Sequence, residues 1–143
     1  MNGYLLDTNV ISEYSLLRPP NARVRAWVDA QSEAMLHLSV LTLGEIRKGT
    51  TLLPAGKKRD QLERWLEKEL PRRFADRLLP INGQIAEIWG AMAGQAQLRG
   101  ITLAIIDGLV AATAKHHGLS VVTRNVKDFS VWGIPVVNPW EMT

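Results

Sequence analysis

The sequence of 143 residues contains no cysteine, which excludes disulfides and thiolate metal sites. No apolar run approaches the roughly 20 residues that a helix needs to cross a bilayer. The first residues also lack the basic-then-apolar layout of a secretory signal, so the expectation is a cytoplasmic protein with no membrane partner. Internal repeats and low-complexity stretches are missing as well, which removes solenoid and linker-like classes. Neither sign of charge dominates: 17 Lys/Arg against 14 Asp/Glu leave a net charge of +3. With 46% hydrophobic and 22% charged residues the composition is that of a globular chain. Its length suits a single domain over 1–143 with a core of useful size. Without thiolates, any metal must be held by oxygen or imidazole, and hard oxygen ligands favour magnesium or manganese.

The charge that is present is unevenly spread. Between positions 45 and 77 there are ten Lys/Arg and six Asp/Glu, a local excess of +4, while the remainder carries −1. A basic stretch suits a polyanionic partner, although solvated charges on an exposed helical hairpin account for it equally well.

Strand-like and helix-like signals alternate along the chain. Tyr4-Leu5-Leu6 reads as a buried strand, followed by cap chemistry at Asp7-Thr8-Asn9 and a helix through Val10, Ile11, Tyr14 and Leu17 that Arg18-Pro19-Pro20 stops. Asn21 opens a second helix, and Met35 to Leu38 reads as the next strand. Ser39 or Thr42 can cap the helix after it, with Thr42 and Glu45 spaced as a capping box. Leu62, Trp65, Leu66 and Leu70 form an apolar stripe that Pro71 is expected to end. Asn82 caps a helix bearing Ile85, Ile88, Trp89, Met92 and Ala96. Thr102 starts another, with Leu103, Ile106, Val110, Thr113 and Ala114 inward, closed by Gly118. Leu119 to Thr123 is a β-branched strand, and Ile134 to Val137 a last one, at an edge because of Pro135. Such alternation predicts an α/β fold with a mostly parallel sheet, whose ligands bind at the carboxyl ends of the strands.

Four acids stand out against that frame. Asp7 follows the first strand, Glu45 lies one turn into the helix after the second, Asp107 interrupts an apolar helix stripe, and Asp128 follows the fourth run together with Asn125. Taken singly, Asp7 can be an N-cap, Glu45 half of a capping box and Asp128 a turn residue. An aspartate on an inward stripe has no such routine role, and its desolvation calls for a compensating positive charge. Four elements can thus bring carboxylates to one cleft, as metal-assisted phosphoryl transfer requires. His37, His116 and His117 read better as strand and helix-end residues.

The ordered segments Leu5-Leu6-Asp7-Thr8-Asn9-Val10, Ser39 to Gly49, Ile106 to Ala114 and Val122-Thr123-Arg124-Asn125-Val126-Lys127-Asp128-Phe129 resemble the motifs of the PIN-domain ribonucleases. The closing Asn138-Pro139-Trp140 is similar to the FitB-like branch of the VapC toxins. The resemblance spans nearly the whole chain. It implies a three-layer α/β/α sandwich and an endoribonuclease dependent on one or two Mg²⁺ or Mn²⁺ ions, with Asp7, Glu45 and Asp107 as metal ligands. The fourth place falls to Asn125 or, through water, to Asp128. Thr8 and Thr123 are implied as hydroxyl partners of the ligands.

The resemblance further implies a type II toxin working as a homodimer and blocked by a small VapB-like antitoxin in a hetero-oligomer. Arg47, Lys48 and Arg124 are candidates for phosphate contacts with RNA. Two other functions remain open: a weakly active or inactive PIN-like subunit of a DNA-bound antitoxin repressor, and a general metal-dependent DNA nuclease or phosphatase.

Overall fold

Five short apolar runs assemble into one sheet: β1 (Tyr4–Leu6), β2 (Leu36–Ser39), β3 (Leu78–Leu79), β4 (Ser120–Val122) and β5 (Val136–Val137). In the computed structural model, which describes residues 3–142, they lie in the order β3-β2-β1-β4-β5, and every pairing is parallel. The expected domain limits at Met1, Asn2 and Thr143 fall outside the described residues. Side chains alternate across each strand, so Leu5 and Val121 enter one core and Leu6 and Val122 the other.

Helices close both faces, because a parallel sheet buries both. The Leu6 face is covered by α1 (Thr8–Ile11), α2 (Ala22–Asp29), α3 (Val40–Leu52), α4 (Lys57–Arg64) and α5 (Leu70–Arg73). The Leu5 face is covered by α6 (Gly83–Leu98), α7 (Ile105–His117) and α8 (Lys127–Ser130). This is the expected α/β/α sandwich. β1 is central, and the chain leaves it toward β2 on one side while β4 lies on the other. The segment after β1 turns onto one face and the segment after β4 onto the opposite face. A crevice therefore opens at their carboxyl ends, at the point where an open α/β sheet binds its ligands.

Several local expectations needed correction. The first helix ends in a 3₁₀ turn at Tyr14 rather than reaching Leu17, and Leu16 takes a left-handed conformation at φ 64°. Glu13 is the cause: its buried carboxylate accepts from the backbone N–H of Asn21 at 2.7 Å and from Arg18 at 2.7 Å, which folds the chain back. Pro71 does not end its helix. A π turn over Trp65–Glu69 precedes it, and α5 continues to Arg73. Proline cannot donate to the ladder and crowds the carbonyl four residues back, and a wider turn accommodates both defects. Thr102 caps nothing, since α7 begins at Ile105 with Ala104 at the cap position, and Ile106 is exposed. β3 carried no strand signal of its own. It exists through its pairing with β2.

Phe74 is fully buried and joins α5 to the core beneath β2, with Arg73 and Arg77 guanidinium groups 5.2 and 5.0 Å from its ring centre. Phe74→Ala should cost about 3–5 kcal/mol, of the size found for large-to-small core changes. Urea denaturation checks this as a lowered midpoint with an unchanged slope. A loss below about 1 kcal/mol would mean that this end of the core collapses freely.

Candidate functional site

Each acid reaches the crevice by a different local route. Asp7 directly follows β1, extends the ladder through its N–H to the Val122 carbonyl at 2.9 Å, and is the N-cap of α1. Its Oδ1 accepts from the Thr8 N–H at 2.9 Å and its Oδ2 from the Thr123 hydroxyl at 2.8 Å. Thr123, fully buried after β4, in turn accepts from the Asn125 N–H at 3.0 Å and from Asn9 Nδ2 at 3.3 Å. The ends of the two central strands are thereby tied through one carboxylate. Asn9 was missed as a site residue, because in the sequence an asparagine after a strand looks like cap chemistry alone.

Glu45 is not part of a capping box. Ser39 caps α3 by accepting from the Leu41 N–H at 3.1 Å, and Thr42 is buried in the first turn. The Glu45 carboxylate instead accepts from the Thr8 hydroxyl at 2.6 Å, with the Thr42 hydroxyl 3.3 Å from that of Thr8. A long-range bond has replaced the local one. Thr8 and Thr123 are thus hydroxyl partners of Glu45 and Asp7.

Asp107 sits in the first turn of α7 and is half-buried rather than enclosed. It lines a cavity of about 500 Å³ with Lys127, Asp128 and Trp132. Thr8 and Glu45 line a second cavity of about 340 Å³ with Arg18, Leu62 and Trp65. Asp128 and Asn125 are both exposed and share a shallow groove of about 350 Å³ with Arg124 and Asn138. The histidines stay away. His37 bonds the Tyr4 and Met35 carbonyls at the amino ends of the strands, and His116 and His117 close α7 about 15 Å from Asp107 along its axis.

The electrostatics join the acids into one set. Burial raises the Asp7 carboxyl from an ordinary 3.8 to about 6, against its two hydrogen bonds, and Asp107 and Glu45 add repulsion. Asp107 is also raised, first by burial and then by Asp128 and Glu45, although a helix N-terminus favours the ionised form. Among the described residues no basic side chain forms an ion pair with Asp7, Glu45 or Asp107. Arg47 is paired with Glu67 at 2.8 Å and Arg18 with Glu13 at 2.7 Å.

Among the described residues no three Asp, Glu or His side chains are grouped so as to hold an ion by protein atoms alone. The donor set still fits a hard cation, because magnesium keeps several waters and needs only one or two carboxylates besides its substrate. Asp7 and Asp107 have the strongest reason to accept it, since burial works against the ionised form of each and a cation would favour it.

The raised Asp7 value has a signed consequence. The folded state binds this proton more tightly than the unfolded chain, so the group favours folding below pH 4 and that contribution is lost as pH rises through about 6. At pH 7 without metal, ionised Asp7 costs the fold up to a few kcal/mol. Asp7→Asn should therefore raise the melting temperature in EDTA at pH 7, flatten its pH dependence between 4 and 6, and remove most of the stabilisation by added Mg²⁺ or Mn²⁺. Thermal melts over pH with and without metal decide the matter. A mutant profile parallel to the unsubstituted one would sink the assignment.

The PIN domain family matches residues 4–131. Toxin FitB of Neisseria gonorrhoeae is 44% identical over 137 residues, covering 95% of this chain and 97% of its own length. The VapC ribonuclease Y4jK of Sinorhizobium fredii is 40% identical over 137 residues, covering 96% and 97%. Among solved structures, FitAcB from Neisseria gonorrhoeae superposes with a TM-score of 0.88 at 43% identity, over 97% of this chain and 99% of that one. FitAB bound to an IR36 DNA fragment gives 0.88 at 40% identity, over 98% and 97%. Likeness of this extent, on a parallel sheet with Asp7 at the end of its central strand and within electrostatic reach of Glu45 and Asp107, means that the chain belongs to the PIN-domain family.

Proposed function

We propose that this chain is a Mg²⁺- or Mn²⁺-dependent endoribonuclease and the toxin of a type II toxin–antitoxin pair. The observation that carries the reading is the electrostatic coupling of three carboxylates on three elements, two of them oriented by threonine hydroxyls and none in an ion pair among the described residues. The ribonuclease and toxin relatives support it. In this reading the protein acts as one cytoplasmic domain, and its partners are RNA, a small VapB-like antitoxin and a second copy of the chain. No helix among the described residues is long and apolar enough to cross a membrane.

Asp7, Glu45 and Asp107 would hold the cation, which when bound supplies positive charge to the scissile phosphate and acidity to the attacking water. Thr123 and the Thr8 N–H fix the Asp7 carboxylate, and the Thr8 hydroxyl fixes that of Glu45. Asp107 or Glu45 would also orient the water that attacks phosphorus as the bridging P–O bond breaks, its proton passing to solvent. Asp128 adds negative charge at its side of the wall, while Asn125 offers only a neutral acceptor. The DNA-bound FitAB structure supports a second reading, in which this chain serves mainly as a subunit of a DNA-bound antitoxin repressor.

Purified protein should cut structured RNA at limited sites in Mg²⁺ or Mn²⁺, and its expression alone should arrest growth. Asp7→Ala and Asp107→Ala should each abolish both effects, by at least about a hundredfold in rate, while leaving a cooperative thermal transition. Protein that cuts no RNA but tightens an antitoxin's hold on operator DNA would favour the repressor reading.

The fourth position needs its own comparison. If Asp128 contributes charge through water, Asp128→Asn should slow cleavage roughly tenfold with little change in melting temperature. Asn125→Asp should tighten metal binding in calorimetric titration. A rate unchanged by Asp128→Asn, with lowered stability, would leave Asp128 as a turn residue of α8 only.

A further inference from the structure

Arg124 differs from most arginines that form ion pairs in this fold. Arg18, Arg47, Arg59 and Arg73 spend N–H groups on carboxylates, whereas no carboxylate among the described residues is within pairing distance of Arg124. Its guanidinium lies over the Trp140 ring, 4.5 Å from the centre. Stacking occupies only the face of a guanidinium. Among the described residues its in-plane N–H groups meet no acceptor, and they form the fork that matches a phosphate.

Both halves of the stack are anchored. Arg124 follows Thr123, and its backbone N–H points to Asn9 Oδ1 at 3.4 Å, so its main chain belongs to the network that fixes Asp7. Trp140 sits in a 3₁₀ turn with Asn138 as its cap, which accepts from the Trp140 N–H at 3.1 Å. Arg23 of α2 donates to the Trp140 carbonyl at 3.0 Å. The groove beneath, lined by Arg124, Asn125, Lys127, Asp128 and Asn138, shares Lys127 and Asp128 with the cavity that holds Asp107. Glu141 lines the same groove, so its two cations face two carboxylates, Asp128 and Glu141, and the groove as a whole is not basic. What sets Arg124 apart there is that its guanidinium is pre-oriented by the stack.

We infer that Trp140 is a positioning residue that holds Arg124 as a phosphate clamp, so that the RNA strand leaves the acid crevice along the groove between α8 and the C-terminal turn. This rests on the ribonuclease reading for the identity of the polyanion, and it names where the strand runs and what orients its anchor. Holding a long flexible side chain in its binding geometry raises affinity by sparing the entropy of ordering it.

The test is binding of a fluorescein-labelled RNA hairpin, measured by anisotropy in Mg²⁺ on an Asp107→Asn background so that no strand is cut. Cleavage of the same hairpin by protein with Asp107 intact is followed separately. Trp140→Ala should weaken binding about tenfold and Trp140→Phe about twofold or less. Arg124→Ala should also cost about tenfold, and the double variant no more than either single one, because the two act as a unit. The distinguishing readout is salt dependence. Loss of the uncharged Trp140 should flatten the plot of log affinity against log salt by about one phosphate contact, as loss of Arg124 does.

An unchanged salt slope in Trp140→Ala, or additive losses in the double variant, overturns the inference. Should Trp140→Ala melt early, Arg124→Lys carries the same test, since it keeps the charge and loses the stacked fork. Full affinity in that variant is equally fatal. If the binding pattern appears while the intact protein cuts no RNA, the clamp stands and the ribonuclease reading falls. If the hairpin is not bound at all, both fall.

Discussion

The arrangement around the Asp7 carboxylate is the constraint on which the rest depends. A buried carboxylate must find donors or a cation, and Asp7 finds a backbone N–H from the helix it caps and a hydroxyl from the far side of the switch point. Those bonds favour ionisation, yet burial outweighs them and holds the group near pH 6. The balance is informative. Two donors are enough to orient a carboxylate and too few to satisfy it, which leaves a site with fixed geometry and unmet demand for positive charge. Thr123 carries much of this, because its single hydroxyl donates to Asp7 and accepts from Asn9 and Asn125.

The sheet makes that arrangement possible. Strands of two to four residues would hold little by themselves, but β1 is flanked by β2 and β4 in parallel register, with Leu5 paired to both His37 and Val121. Its Leu5 and Leu6 side chains fill opposite cores. A slip of one residue would exchange the cores and turn Asp7 away from Thr123. Register, packing and site geometry are therefore fixed by the same few residues.

Much of this could be read from the sequence, and the parts that could not share a cause. β1, β2, β4 and the helices α6 and α7 announce themselves through apolar runs, helical spacing and caps such as Asn82 and Gly118. Asp107 stood out because its helix is otherwise apolar. What remained hidden was decided by long-range partners. The capping-box spacing of Thr42 and Glu45 was a local signal that lost to a hydroxyl 37 residues away. The early end of α1 is set by Glu13 reaching over to Asn21, and β3 is a strand only because β2 lies beside it. The Arg124–Trp140 stack is invisible for the same reason: each residue stands in a recognisable segment, but only the fold brings the C-terminal turn against the end of β4.

The placement of positive charge completes the reasoning. A chain with 17 Lys/Arg has ample means to neutralise four acids. Here Arg18 and Arg47, the arginines nearest in sequence to Asp7 and Glu45, are paired with Glu13 and Glu67, and Arg124 is turned onto an aromatic face. An internal salt bridge to Asp7 or Asp107 would lower their pKa values and stabilise the fold, but it would also fill the crevice with a charge that could not leave. Leaving the acids uncompensated keeps their affinity for a cation from outside. In the proposed reading that cation accompanies RNA, and an antitoxin able to insert a basic side chain would compete for the same unmet demand. The stability given up at neutral pH is thus the physical counterpart of a site that can be both loaded and blocked.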